Sequence, residues 1–348
     1  MCMSKEKHLP TNMLLESLEA PHSVARQLAQ DGTKYAEFGD FLRGHTPNAM
    51  VTVARGSSDH AAHYMAYLIM SRVGRLVTSL PMSLITLYHS QIDCSGLVSL
   101  AFSQSGQSPD LVAPTQFFSH GGACTAAFVN KPDSPLALAS KWAFPLHAGD
   151  EKSVAATKSF IAQMVAGARV VAAWTKDPAW TEALNALPEA LSRAATQDWT
   201  EAVEVLRGVN RLLVIGRGTG MPVALEAALK FKETCGIQAE AFSGAEVKHG
   251  PMAIIDQGYP LLVFAPRGPA QAGLLALAEE MRIRGARVLL AAPANTPGVS
   301  LPISETASAD LDPISAIQSF YPMVESLARA RGMNPDHPPF LAKVTRTN

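Results

Sequence analysis

The chain has 348 residues, 47% apolar and 17% charged, enough for two domains of ordinary size with a filled core in each. A formal charge of -1 and only 7% aromatic residues provide neither a global basic field nor a stacking surface, which argues against a nucleic-acid partner. Cys2, Cys94, Cys124 and Cys235 are far apart and lack CxxC spacing, so the sequence predicts neither a zinc ribbon nor a disulfide framework, and a reducing cytoplasm fits. The N-terminal segment has no apolar signal core, and apolar stretches elsewhere are interrupted before about 18 residues, so neither export nor a membrane span is expected.

A leader over 1–46 reads as helical, with Leu14, Leu15 and Leu18 in its first turns, Val24, Leu28 and Phe38 later, and a break at Pro21. The apolar run from Ala49 to Ala54 then predicts a strand that feeds the turn Arg55-Gly56-Ser57-Ser58, with a helix from Asp59 to Val73 behind it. A short strand near Leu76-Val77-Thr78 follows. The next long run, Leu97 to Phe102, enters the hydroxyl-rich turn Ser103-Gln104-Ser105-Gly106-Gln107-Ser108, and a helix is expected from Pro109 to Ser119. A strand that ends in small polar groups at a helix start presents backbone amides and hydroxyls to an anion. Two such turns in one half of the chain point to a phosphorylated small molecule. Arg55 either contributes near that ligand or forms an ion pair at the strand end.

Ala123 to Val129 supplies another strand, and the alternation of strands with helices predicts a parallel sheet covered on both faces. This first unit spans 47–157. A helical, Ala-rich connection over 158–200, interrupted by Pro178 and Pro188, is expected to pack against both units. A second unit, 201–330, repeats the first: Arg217-Gly218 stands 162 residues after Arg55-Gly56, and Gly285-Ala286 stands 163 after Gly122-Ala123. Nearly constant offsets at two anchors argue for internal duplication of one α/β unit. The tail, 331–348, carries Asn334, Pro335, Pro338 and Pro339, followed by apolar Phe340, Leu341 and Ala342; it either frays or docks.

The second unit holds the titratable candidates. The segment Ala224 to Glu233 reads as a helix, with Glu226 and Lys230 at i,i+4 and Lys230 and Glu233 at i,i+3. One reading is a solvated face with surface ion pairs; the other makes Glu233 a carboxylate base held by a lysine. His249 precedes the helix-stopping Gly250-Pro251, which would let its ring project from a loop, in a cluster with Glu240, Glu246 and Lys248. Nothing matches HExxH, so a metal role is disfavoured. The GxG at Gly216 and Gly218 meets Met221 where a dinucleotide fingerprint needs its third glycine, and no GxxxxGK[ST] occurs.

Taken together these segments resemble the double sugar-isomerase (SIS) domain, the isomerase half of glucosamine-6-phosphate synthase. The resemblance runs from about Glu16 to Thr345. It rests on Arg55-Gly56-Ser57-Ser58, Ser103-Gln104-Ser105-Gly106, Val154-Ala155-Ala156-Thr157-Lys158, Ala224 to Glu233, Glu246 to Pro251, and Leu341-Ala342-Lys343, all in the family's order. It implies an α/β fold of two tandem SIS domains, each a flavodoxin-like parallel-sheet αβα sandwich.

By that resemblance Gly56, Ser57, Ser58, Ser103, Gln104, Ser105 and Ser108 would hold the sugar phosphate and hydroxyls, with Val154, Ala155 and Ala342 nearby. Glu233 would move a proton between C1 and C2 of the open-chain sugar, and His249, supplied by the partner of a homodimer, would assist ring opening. Lys230 would support the site and Lys343 would form an imine with a ketose carbonyl, under cover of the tail. Neither job requires a metal or an organic cofactor.

The resemblance also has a gap. The synthase begins with a glutaminase domain whose second residue is a nucleophilic cysteine, but Met3-Ser4-Lys5-Glu6 does not continue its pattern after Cys2, and about 50 residues are too few for that domain. What remains is the opposite half-reaction, so the expectation is a glucosamine-6-phosphate deaminase of the SIS type. Alternatives are a phosphosugar isomerase without deamination, a sugar-amine deglycase and a sensor that does not react. Sensors of this fold usually bring a DNA-binding helix-turn-helix, for which the leader lacks room and basic charge.

Overall fold

The computed structural model describes residues 9–343; Cys2 and positions 344–348 of the expected tail lie outside them. Two leading helices, α1 (Asn12–Ala29) and α2 (Gly32–His45), precede the first unit. That unit contains β1 (Ala49–Val53), α3 (Gly56–Arg72), β2 (Val77–Ser79), α4 (Ser83–Thr86), β3 (Leu97–Ser103), α5 (Pro109–His120), β4 (Cys124–Val129), α6 (Pro135–Leu138) and β5 (Trp142–Pro145). The connection is four helices: α7 (Lys158–Thr175), α8 (Pro178–Asn185), α9 (Leu187–Ala194) and α10 (Thr200–Leu206). The second unit holds β6 (Arg211–Gly216), α11 (Met221–Cys235), β7 (Gln238–Ser243), β8 (Pro260–Phe264), α12 (Gln271–Ile283), β9 (Arg287–Pro293), β10 (Leu301–Ile303) and α13 (Asp312–Ala330).

Both sheets are parallel throughout and share one topology. The first runs β2-β1-β3-β4-β5 and the second, read from its other edge, β7-β6-β8-β9-β10. In order of appearance within its unit, each sheet is 2-1-3-4-5, which is the duplication the offsets announced. Strands β3 and β8 are buried along almost their whole length, as expected of strands covered on both faces. One apolar core crosses from unit to unit, with Phe102, Phe128 and Phe144 in the first and Phe231, Phe264 and Phe320 in the second. Smaller cores lie under α5 (Leu111, Phe118) and α12 (Leu274, Leu277, Met281).

The leader departs from expectation at Pro21, which does not break the helix: α1 continues through it to Ala29. A proline inside a helix frees the carbonyl four residues back. Here that carbonyl, on Ser17, accepts from Gln318 Nε2 of α13 at 2.9 Å. The chain turns instead at Asp31, which adopts a left-handed conformation (φ 57°). Pro178 and Pro188 do punctuate the connection, each falling in the first turn of a new helix.

Candidate active site

The strand order reverses between β1 and β3, so the helices that follow them, α3 and α5, cover opposite faces and leave a crevice at the strand ends. A cavity of about 330 Å³ opens there. Its wall includes Gly56, Ser57 and Ser58 from the start of α3, and Ser103, Gln104, Ser105 and Ser108 from the turn after β3. Neither helix start carries a side-chain cap bond; in α3 this leaves the Gly56, Ser57 and Ser58 N–H groups facing the crevice, while α5, which begins at Pro109, offers the hydroxyls of the turn before it.

The second turn is shaped by its own hydroxyls. Ser103 Oγ accepts from the Gly106 N–H at 3.0 Å and Ser105 Oγ from the Gln107 N–H at 3.3 Å. Gly106 has φ 64°, and a Cβ there would lie 2.1 Å from Ser134 Oγ, so no side chain fits. Opposite, Ser58 Oγ accepts from Gln163 Nε2 of α7 at 2.9 Å. Arg55 and Asp110 both line the cavity and form an ion pair at 3.1 Å, so the strand-end pair lies at the cavity itself.

Four further sequence candidates enter the same cavity from distant segments: Val154, Glu233 and the tail residues Ala342 and Lys343, with Leu341 beside them. Glu233 sits near the end of α11 with its side chain 21% exposed. Lys230, one turn earlier, is not part of the wall but touches two residues that are. Its Nζ donates to Ser57 Oγ at 3.1 Å and to Glu233 Oε2, and lies 3.3 Å from Glu226 Oε1.

The solvated-face reading of this helix is therefore wrong, because Lys230 and Glu226 are fully buried between the units. The sequence hid this: the packing partners come from α3 and α13. Glu226 also meets His60 Nδ1 at 3.0 Å and the Tyr321 hydroxyl at 3.3 Å. Burial works against the Lys230 ammonium, yet Glu226 and Glu233 overcome it and raise its pKa above the ordinary lysine value. Burial likewise pushes the Glu226 carboxyl up, and Lys230 and His60 outweigh it, holding the group ionised below the usual range.

The tail docks. Asp336 accepts from the Asn12 and Met13 N–H groups at 2.8 Å each, at the start of α1, and its carbonyl accepts from the Val154 N–H at 3.2 Å. Glu16 of α1 accepts from Lys152 N, Ser153 N and Ser153 Oγ, fixing the loop that carries Val154. Lys343 Nζ then reaches Glu151 Oε2 at 2.9 Å and the Ser153 carbonyl at 2.7 Å. Burial opposes the charge of Glu151, but Lys343, Ser159 and the Thr157 N–H keep its carboxyl below the ordinary range. Glu16, His60, Glu151, Tyr321 and Asp336 were not signalled by any spacing in the sequence.

Besides Lys230, two expected residues stand apart from the wall. Ala155 is buried behind Val154. His249 lies exposed on the short 3-10 turn Glu246–His249 in the same chain, away from the cavity lining. The Glu240, Glu246, Lys248 and His249 cluster does not converge on a common point: Lys248 pairs with Glu280 at 2.5 Å, and Glu240 and Glu246 are exposed. Among the described residues no group of three or more His, Cys, Asp or Glu side chains could hold a metal ion, and no helix is long and apolar enough to cross a membrane.

A glutamine–fructose-6-phosphate aminotransferase (isomerizing) of Zymomonas mobilis is 35% identical over 249 residues, which cover 68% of this chain and 41% of the relative. The chain spans about half the length of the curated relatives it matches. A solved structure from Silicibacter pomeroyi, provisionally named a phosphosugar isomerase, is 40% identical, covers 94% of this chain and 100% of its own, and superposes with a TM-score of 0.88. The C-terminal domain of glucosamine-fructose-6-phosphate aminotransferase from Francisella tularensis, 24% identical over 97% of this chain and all of its own, shares the fold with a TM-score of 0.81. The SIS domain model matches twice, at residues 46–173 and 205–306, and with two sheets of one topology the chain belongs to the SIS domain family.

Proposed function

We propose that the chain is a phosphosugar aldose–ketose isomerase that also deaminates, converting glucosamine 6-phosphate to fructose 6-phosphate and ammonia. The carrying observation is that one cavity joins two serine-lined helix starts, a carboxylate and an amine, the last two from segments 110 residues apart in sequence. The start of α3 suits a phosphate, whose charge its orphan N–H groups meet, with the hydroxyls of the turn after β3 beside them. Glu233 is the base: it takes the proton from C2 of the open-chain sugar and returns it to C1, which needs one group within reach of both carbons. Lys230 holds that carboxylate in place from below.

After the proton shift C2 carries the substrate nitrogen as an imine. The Lys343 amine, once it has lost a proton, attacks C2, ammonia leaves as the Lys343 imine forms, and water then hydrolyses that imine to free the ketose and the lysine. Glu151, ionised beside it, is placed to accept that proton. In this reading the chain works as a homodimer, and His249 of each copy completes the cavity of the other, where it assists ring opening. The domain limits expected from sequence, 47–157 and 201–330 around the connection 158–200, serve as the working division, with the tail from 331 as the lid.

A second reading, isomerisation of a phosphosugar that carries no amine, is favoured by the name of the 40% identical structure. Ammonia and fructose 6-phosphate are measured together in one reaction of the purified protein with glucosamine 6-phosphate and no glutamine. Equal yields support deamination. Ketose and aldose phosphates interconverting without ammonia release would support the second reading.

A further inference from the structure

Between the two units lies a buried chain of charges with one end at the cavity and the other at a histidine that has no place in the reaction as described. Glu226 has four polar neighbours: Lys230 at 3.3 Å, Tyr321 at 3.3 Å, His60 Nδ1 at 3.0 Å and the Ser57 hydroxyl. A buried ionised carboxylate is an acceptor only, so Nδ1 is the donor and carries the proton. Lys230 divides its ammonium between Glu226 and Glu233. Whatever Glu226 receives from His60 it need not draw from Lys230.

We propose that His60 is a positioning residue for proton transfer: by bonding Glu226 it leaves the Lys230 ammonium turned toward Glu233, which fixes that carboxylate at the cavity. This rests on the reading of Glu233 as the base. His60 is 17% exposed and does not line the cavity, so it acts through Glu226 alone. The groups facing it are Glu226 and Lys230 from α11, Tyr321 from α13, and Asp59 and His63 from its own helix; α7 presents the neutral Gln163 to Ser58. Glu151 and Glu233 also act on Tyr321, behind Glu226. Because α3 belongs to the first unit and α11 to the second, the bond also ties the helix that starts the phosphate cradle to the helix that carries the base.

Removing the donor leaves a buried carboxylate short of one partner, and it competes for Lys230. Glu233 then shares less of the ammonium and is held less firmly where it must reach both carbons, so turnover falls while substrate binding is kept.

The test is deuterium incorporation at C1 of fructose 6-phosphate in D₂O, followed across pH for the wild type, His60→Leu, His60→Asn and Glu233→Gln, with the melting temperature of each. Asparagine places its amide nitrogen where Nδ1 stands. We expect His60→Leu to lower kcat about tenfold at neutral pH with KM within about twofold, while His60→Asn stays within about threefold of the wild type. A His60→Leu profile that superimposes on the wild type overturns the proposal, as does an equal loss in both His60 variants that follows their melting temperatures. Exchange that survives intact in Glu233→Gln, or is absent from the wild type, overturns the reading of the base itself and the proposal with it.

Discussion

Lys343 Nζ donates to Glu151 Oε2 at 2.9 Å, across 192 residues of sequence, and this bond holds the tail against the cavity. Glu151 also accepts from Thr157 N at 3.0 Å, Ser159 N at 3.1 Å and Ser159 Oγ at 2.6 Å, so one buried carboxylate organises both the start of α7 and the lid. Glu151→Gln is expected to destabilise the fold by about 2 kcal/mol in urea unfolding. It should also remove most turnover by depriving Lys343 of its acceptor.

Glu151 and Glu226 both have carboxyls held below the ordinary glutamate value in the folded chain, so their contribution has a definite sign with pH. Above the unfolded value of about 4.3 it is fully present, and it is lost as pH falls through the lower folded values. Unfolding free energy should therefore decline on acidification below about pH 4.3, with a shallower decline in Glu226→Gln. An identical slope in that variant would contradict the assignment of Glu226 as an ionised buried group.

Lys230→Met should be among the most damaging single changes. It leaves Glu226 buried without its cation and costs about 3 to 5 kcal/mol, read as a shift in the urea midpoint. The double variant Lys230→Met with Glu226→Gln removes both charges of the buried pair and should recover part of that loss.

At Gly106 the backbone is left-handed and a Cβ meets the Ser134 side chain. Gly106→Ala should distort the turn that carries Ser103 to Ser108, costing at least about 1 kcal/mol and weakening fructose 6-phosphate binding about tenfold or more by calorimetry. Unchanged affinity would remove this turn from the phosphate site.

Asp336→Ala withdraws the acceptors of the Asn12 and Met13 N–H groups at the start of α1 and loosens the tail next to Val154. The expected cost is about 1 kcal/mol, with faster tryptic cleavage after Lys343.

How much of this was legible in the sequence depended on how local each signal is. Strands buried on both faces read as apolar runs, and the turns that follow β1 and β3 are rich in Gly and Ser because the backbone there needs left-handed and small residues. Those positions, with Glu233 and Lys343, meet in one cavity. What the sequence hid was long-range. Pro21 is tolerated because Gln318 satisfies the Ser17 carbonyl. Lys230 and Glu226 read as a surface pair because His60 and Tyr321 lie far from them in the chain. Glu151 and Asp336 are isolated acids in loops, and only folding brings the tail and α1 to them.

The most direct test of the central claim is proton exchange at C1 of fructose 6-phosphate, measured by deuterium incorporation for the wild type and Glu233→Gln alongside the affinity of each for the sugar. Exchange by the wild type, and its loss in a variant that binds fructose 6-phosphate equally well, is the predicted result. Exchange within a few-fold of wild type in Glu233→Gln would contradict the account, because the carboxylate at the cavity wall would then not be the base.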